Sequence, residues 1–126
     1  MASAFDGVIM IAHGARDARW MEPFFRVRDD LAARLAPAAV ALAFLDFAAP
    51  NFADGVAELY RGGARNILVV PVFLSGGGHV AKDVPELVGA ERARYPDATF
   101  AVSGAIGEER EVIAAMMDAV MRLATS

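Results

Sequence analysis

The sequence predicts a small doubly wound α/β domain, a parallel four-stranded sheet with helices on both faces, and three observations predict it. Short apolar runs rich in β-branched residues alternate with longer amphipathic segments. The order is βαβαβαβα, which right-handed crossovers turn into a parallel sheet with both faces covered. Third, the chain has 126 residues, 56% of them hydrophobic and 22% charged, with mean hydropathy +0.39. That is enough for one core but short of the roughly 200 or more residues of a closed β/α barrel. Residues 1–126 are therefore expected to form a single domain, with no repeat, linker or low-complexity tail.

The first run, Gly7-Val-Ile-Met-Ile-Ala12, has the composition of a buried parallel strand, and His13-Gly14 ends it. From Trp20 to Leu35 the apolar residues Met21, Phe24, Phe25, Val27, Leu31 and Leu35 recur at helical spacing. Charged Arg26, Arg28, Asp29, Asp30 and Arg34 lie between them, so the helix is one-sided, and Pro37 breaks it. A second strand runs from Ala39 to Leu45 and ends at Asp46. Pro50 and Asn51 then open a helix that buries Phe52, Val56, Leu59 and Tyr60. Arg61-Gly62-Gly63 closes it. Asn66 to Val72 is a third strand with Pro71 near its end, where a missing N–H is tolerated. A helix follows from about Asp83 to Arg94 with Val84, Leu87 and Val88 inward. Ala98 to Ser103 is the fourth strand. Glu108 to Leu123 is a final helix with Val112, Ile113, Met116, Val120 and Leu123 on one face, and its methionines are expected to serve the core or a subunit contact.

Composition excludes several function classes. Twelve basic against 16 acidic residues give a net charge of −4, with no basic block, which argues against a nucleic-acid surface. Eleven of the twelve cations are arginine, whose planar fork suits carboxylates and phosphates. The absence of cysteine removes disulfides, thiolate ligands and thiol nucleophiles. Met1 to Asp6 does not read as a signal peptide, and the longest uncharged apolar stretch, Ala36 to Leu45, is about half a membrane span. A cytoplasmic protein without membrane contact is expected.

Ligands on doubly wound sheets bind beyond the carboxyl ends of the strands. His13, Asp46, His79 and Gly104 each follow or end a strand on that edge, and His13 and His79 are the chain's two histidines. Imidazole and carboxylate suit a borderline divalent metal such as Co²⁺, Fe²⁺, Ni²⁺ or Zn²⁺, and imidazole also moves protons near pH 7. Both roles stay open. Ser75-Gly76-Gly77-Gly78 lets backbone approach a ligand closely, but it fits neither a Walker A loop nor a dinucleotide fingerprint. Nor does Ser75 lie in a nucleophile elbow. Arg16 and Arg19, near the start of the first helix, are placed to hold an anionic substrate.

Two of these segments, His13-Gly-Ala-Arg-Asp-Ala-Arg19 and Pro71-Val-Phe-Leu-Ser-Gly-Gly-Gly-His-Val80, resemble the signatures of the sirohydrochlorin chelatase family of the short CbiX type. Between them, Ala43-Phe-Leu-Asp-Phe-Ala-Ala-Pro50 is similar to the family's Ala-Phe-Leu-Glu segment, and Lys82-Asp-Val-Pro85 to its Asp-Ile-Pro. The resemblance covers nearly the whole chain. It implies a single-lobe class II tetrapyrrole chelatase, inserting Co²⁺ or Fe²⁺, in some relatives Ni²⁺, into a sirohydrochlorin-type macrocycle without ATP. The product would enter cobalamin or sirohaem biosynthesis. By the same resemblance, His13 and His79 would correspond to the family's active-site histidines, with Asp46 beside them as a catalytic carboxylate, and the two imidazoles would act as metal ligands or as proton acceptors; the metal is a substrate, with no permanently bound cofactor. Asp46 stands where the family usually has glutamate, Ala15 where serine is usual, and Ala18 where proline is usual. Arg16, Arg19 and the Ser75 to Gly78 loop would hold the macrocycle's carboxylates. A homodimer is implied, with the macrocycle between facing sheet edges. The competing expectation is a metal or tetrapyrrole carrier of the same fold without turnover.

Overall fold

The β-branched run after Asp6 forms strand β1 (Gly7–Ala12), all six residues of which are buried. In the computed structural model, which describes residues 3–78 and 80–126, β1 is flanked by β2 (Ala39–Phe44) and β3 (Asn66–Pro71). Strand β4 (Thr99–Val102) completes a parallel sheet of order β2-β1-β3-β4. Ile9 lies opposite Ala41 and Val69, and Met10 opposite Leu42 and Val70. Because side chains alternate along a strand, this register sends two sets of residues to opposite faces.

On the first face, Ile9, Ile11, Ala41, Ala43, Ile67, Val69 and Phe100 form a core with helices α2 (Phe52–Arg61) and α3 (Val80–Arg94). Phe52, Val56 and Leu59 of α2 and Val80, Val84 and Val88 of α3 are buried there. Gly55 lets α2 come close, since a Cβ at that position would stand 2.7 Å from Ile9 Cδ1. On the second face, α1 (Glu22–Leu35) lays Phe24, Phe25 and Leu31 over Met10, Leu42 and Phe44. Phe25 meets Phe44 edge to face at 5.8 Å. Helices therefore lie on both sheet faces, in keeping with the α/β class predicted. Among the described residues, no helix is long and apolar enough to cross a membrane.

At the amino end of the sheet, Asp6 accepts hydrogen bonds from the backbone N–H groups of Arg65 (3.0 Å) and Asn66 (2.8 Å). Burial opposes its ionisation, but these donors outweigh it and hold the carboxyl below its ordinary pKa.

Several boundaries differ from the sequence expectation, each for a local reason. Trp20 belongs to a 3-10 turn (Ala18–Trp20) capped by the Asp17 side chain, and α1 proper begins at Glu22 with Pro23 in its first turn. Helix α3 starts at Val80 and keeps Pro85 inside it. Val80 and Val84, one turn apart, are both buried, and that burial holds the turn ahead of the proline. The largest difference concerns α4 (Arg110–Thr125). Its apolar face was expected to pack, yet no residue of the helix is buried, and it packs chiefly against the preceding 3-10 turn (Ile106–Glu108).

Candidate functional site

Strands β1 and β2 end in register, Ala12 opposite Phe44, so the segments that leave them run side by side. Leu45 N–H donates to the Ala12 carbonyl at 2.9 Å and fastens the two strand ends together. This brings His13 Nδ1 to 3.7 Å from Asp46 Oδ2, both side chains being about half exposed. The other carboxylate oxygen, Asp46 Oδ1, accepts the Gly14 N–H at 2.9 Å. Position 14 has to be glycine for this approach, because a Cβ there would run into the Asp46 carbonyl oxygen. From β3, Val72 N–H donates to the Ile11 carbonyl at 2.8 Å, and the next residue sets its ring against His13, 4.8 Å away and edge to face. That residue is Phe73. Three loops from three strand ends thus converge on one imidazole.

His13 lines two cavities of different character. One, of about 500 Å³, is bordered by Asp46 and by Asp83, Glu86 and Leu87 of α3. The other, of about 460 Å³, is bordered by Trp20, Phe24, Phe73, Leu74 and Ser75. Trp20 and Leu74 are 74% and 72% exposed, an apolar rim open to solvent. Carboxylates on one side attract a cation, while aromatic and aliphatic surface on the other suits a flat apolar ring. His13 stands at the boundary between them.

Asp83 was quoted from the sequence only as part of Lys82-Asp-Val-Pro85, without a site role, and Glu86 was not singled out. Their spacing of three residues on a helix was a usable signal, since it puts both on one face directly after the glycine run. The arginines are placed differently from one another. Arg19 forms a two-pronged pair with Asp17, Nη2 to Oδ2 at 2.7 Å and Nε to Oδ1 at 3.1 Å. This pair holds the Asp17 carboxyl below its usual range and raises the Arg19 guanidinium above its own. Arg16 lies over the ring of Phe47, 4.9 Å from its centre. Phe47 itself is left-handed, with φ of 61°.

In the glycine segment, Gly76 N–H donates to Glu108 Oε1 at 2.7 Å and Gly77 N–H to Ser75 Oγ at 3.3 Å. Gly78 has φ of 68°, a conformation that favours glycine. Glu108 is a third residue that sequence reasoning passed over as a site candidate. His79 lies outside the described residues, so its distance from His13 is not part of this geometry. Among the described residues, no group of three or more His, Cys, Asp or Glu is arranged to hold a metal ion.

Comparison with known proteins adds the following. A family model described as CbiX matches residues 7–123. The chain is 27% identical over 108 residues to a sirohydrochlorin cobaltochelatase of Priestia megaterium, covering 84% of this chain and 34% of that protein. It is 29% identical over 84 residues to a protein of the same name from Methanocaldococcus jannaschii, covering 67% and 59%. The chain thus spans between about a third and three fifths of the length of these curated relatives. A crystal structure described as a cobalamin (vitamin B12) biosynthesis CbiX protein of Marinobacter aquaeolei superposes with a TM-score of 0.82 at 28% identity, over 94% of both chains. SirB, the sirohydrochlorin chelatase of Bacillus subtilis subspecies spizizenii solved with cobalt, gives 0.82 at 24% identity over 94% of this chain and 50% of its own. That likeness establishes the fold alone.

Proposed function

The chain belongs to the CbiX family, and from that premise we propose that it is a sirohydrochlorin-type tetrapyrrole chelatase that inserts a divalent metal without ATP. The observation that carries this reading is the position of His13 between a carboxylate-lined cavity and an aromatic one. Metallation must bring a cation to the ring nitrogens and remove two pyrrole N–H protons. Under this proposal the macrocycle lies against Trp20, Phe73 and Leu74. The metal, a substrate rather than a resident cofactor, arrives from the side of Asp46, Asp83 and Glu86. His13, with Asp46 3.7 Å away, serves as metal ligand or proton acceptor, and His79 supplies the second imidazole.

The macrocycle's peripheral carboxylates meet Arg16, Arg19 and the backbone of Ser75, Gly76, Gly77 and Gly78. Arg19 would exchange its partner Asp17 for a substrate carboxylate. The protein works in the cytoplasm as a homodimer, with product going to cobalamin or sirohaem. Support for cobalt comes from the names of its curated relatives.

The test is anaerobic absorbance of sirohydrochlorin with catalytic amounts of protein and Co²⁺, Fe²⁺ or Ni²⁺ in turn, against the rate in buffer. Acceleration with at least one of these metals is expected. Binding of the macrocycle with no acceleration for any metal would replace the enzyme with a carrier.

A further inference from the structure

Among the described residues, three arginines lie over aromatic rings: Arg28 over Phe25 at 5.1 Å, Arg65 over Tyr60 at 3.6 Å and Arg16 over Phe47 at 4.9 Å. A ring covers one face of the guanidinium and leaves the N–H donors on its edge, where a carboxylate can take two of them. Two of the three stacks carry that carboxylate. Arg28 Nη2 stands 2.9 Å from Asp29 Oδ1, and Arg65 Nε 3.3 Å from Asp97 Oδ2. Arg16 has the ring and, among the described residues, no carboxylate at ion-pair distance. Its chain neighbour Asp17 is already taken by Arg19.

The ring under Arg16 is held in an unusual way. Phe47 has φ of 61°, a region that glycine or asparagine normally fills. Its segment is fastened at both ends, since Leu45 N–H donates to the Ala12 carbonyl at 2.9 Å and Phe44 N–H to the Pro50 carbonyl at 2.9 Å. Between those ties Asp46 is drawn onto Gly14, whose missing Cβ admits the Asp46 carbonyl oxygen. A phenylalanine in this conformation is strained, and burial does not offset the strain, because the residue is 63% exposed. Strain kept without packing in return points to a function for the ring. The stack also stands at the candidate site: Phe47 follows Asp46, and Arg16 lies two residues after Gly14, the two partners of that tie.

Resting on the chelatase reading, we infer that Phe47 is a positioning residue that acts through Arg16, backing the guanidinium so that its outer edge takes a peripheral carboxylate of the macrocycle beside His13. The two arginines of this loop then differ in readiness. Arg19 has to give up Asp17 before it meets substrate. Arg16, already laid flat on a ring, gives up no ion pair and loses less rotamer freedom on binding. Affinity for a carboxylate-bearing edge therefore falls mainly on the Arg16–Phe47 stack, and the incoming carboxylate completes the arrangement that Arg28 and Arg65 already have.

The test is equilibrium titration of metal-free sirohydrochlorin, followed by its absorbance, into the parent, Arg16→Gln, Phe47→Gly, Phe47→Leu, Phe47→Tyr and the double variant R16Q/F47G, with a thermal melt of each. Glycine relieves the strained backbone and removes the ring, so Phe47→Gly should melt within a few degrees of the parent and yet bind about 10-fold more weakly. Phe47→Leu, which keeps apolar bulk without a π face, should show a similar loss and serves where the glycine variant folds poorly. Phe47→Tyr keeps the ring and should bind like the parent. On the Arg16→Gln background the loss from Phe47→Gly should vanish, because the ring then has no guanidinium to hold. Parental binding in both Phe47→Gly and Phe47→Leu would overturn the proposal and mark the ring as structural. So would an undiminished loss on the Arg16→Gln background, or a loss in Phe47→Tyr as large as in Phe47→Gly. Binding of the metal-free macrocycle needs no turnover, so failure of the chelatase reading appears in a different measurement.

Discussion

Replacing Asp46 in two ways separates its structural tie from its chemistry. One carboxylate oxygen accepts the Gly14 N–H at 2.9 Å and the other lies 3.7 Å from His13 Nδ1. Asp46→Asn keeps an oxygen for Gly14 and loses the charge, whereas Asp46→Ala loses both. A hydrogen bond to a charged group contributes about 1.5–3 kcal/mol when buried. Here the side chain is 42% exposed, and solvent reduces the contribution to about 1 kcal/mol. Asp46→Ala should therefore melt about 3–5 °C lower and Asp46→Asn within about 1 °C of the parent. Turnover should behave differently. If the carboxylate takes part in proton removal or metal delivery, both variants lose about 100-fold or more in metallation rate. Calorimetry or circular dichroism gives the first quantity and anaerobic absorbance the second. Parental turnover in Asp46→Asn would refute the reasoning, because the carboxylate would then be only a tie between two loops.

The other predictions follow from equally local geometry. His13→Ala, just after the end of β1, should remove most metallation while leaving the melting temperature within a few degrees, and His79→Ala should likewise remove most metallation; unchanged turnover in both would remove the site assignment. Gly14→Ala should cost more than about 1 kcal/mol and lower the metallation rate, since its Cβ forces the Asp46 carbonyl away, and a parental melt would contradict that contact. Glu108→Gln weakens the tie to Gly76 and should raise KM for the macrocycle more than it lowers kcat, which steady-state kinetics separates. Asp6 has a folded pKa below its ordinary 3.8, so its stabilising effect is fully present above that value and is lost as pH falls through the folded pKa. Denaturant melts between about pH 5 and pH 2 should show the stability gap between the parent and Asp6→Asn closing as acid is added.

Strands were the most legible elements. Each is an apolar run held between breakers, and a buried parallel sheet requires just that pattern. Helix α2 was equally plain. Asn51 accepts the Asp54 N–H at 2.9 Å as its cap, and Gly63, with φ of 103°, follows its end. The start of α3 was obscured by Pro85, which locally argues for a later beginning, while the burial of Val80 that overrides it is a tertiary effect. For α4 the periodicity is real, but an amphipathic pattern says only that a face is apolar, not which surface meets it. At the candidate site, the nearness of His13 and Asp46 was legible because both follow strand ends on one edge of the sheet. Asp83 and Glu86 join the candidate site only through the packing of α3 beside the loops of β1 and β2, which no local pattern encodes. Glu108 reaches Gly76 across 32 residues, a link that no spacing encodes.

The most direct measurement of the central claim is a turnover count: sirohydrochlorin in large excess over protein, Co²⁺ in large excess over both, and metallated product followed anaerobically to its plateau above the buffer rate. The account predicts many products per chain, with the count collapsing in His13→Ala. A plateau at one product per chain or fewer, with macrocycle still bound, would contradict it.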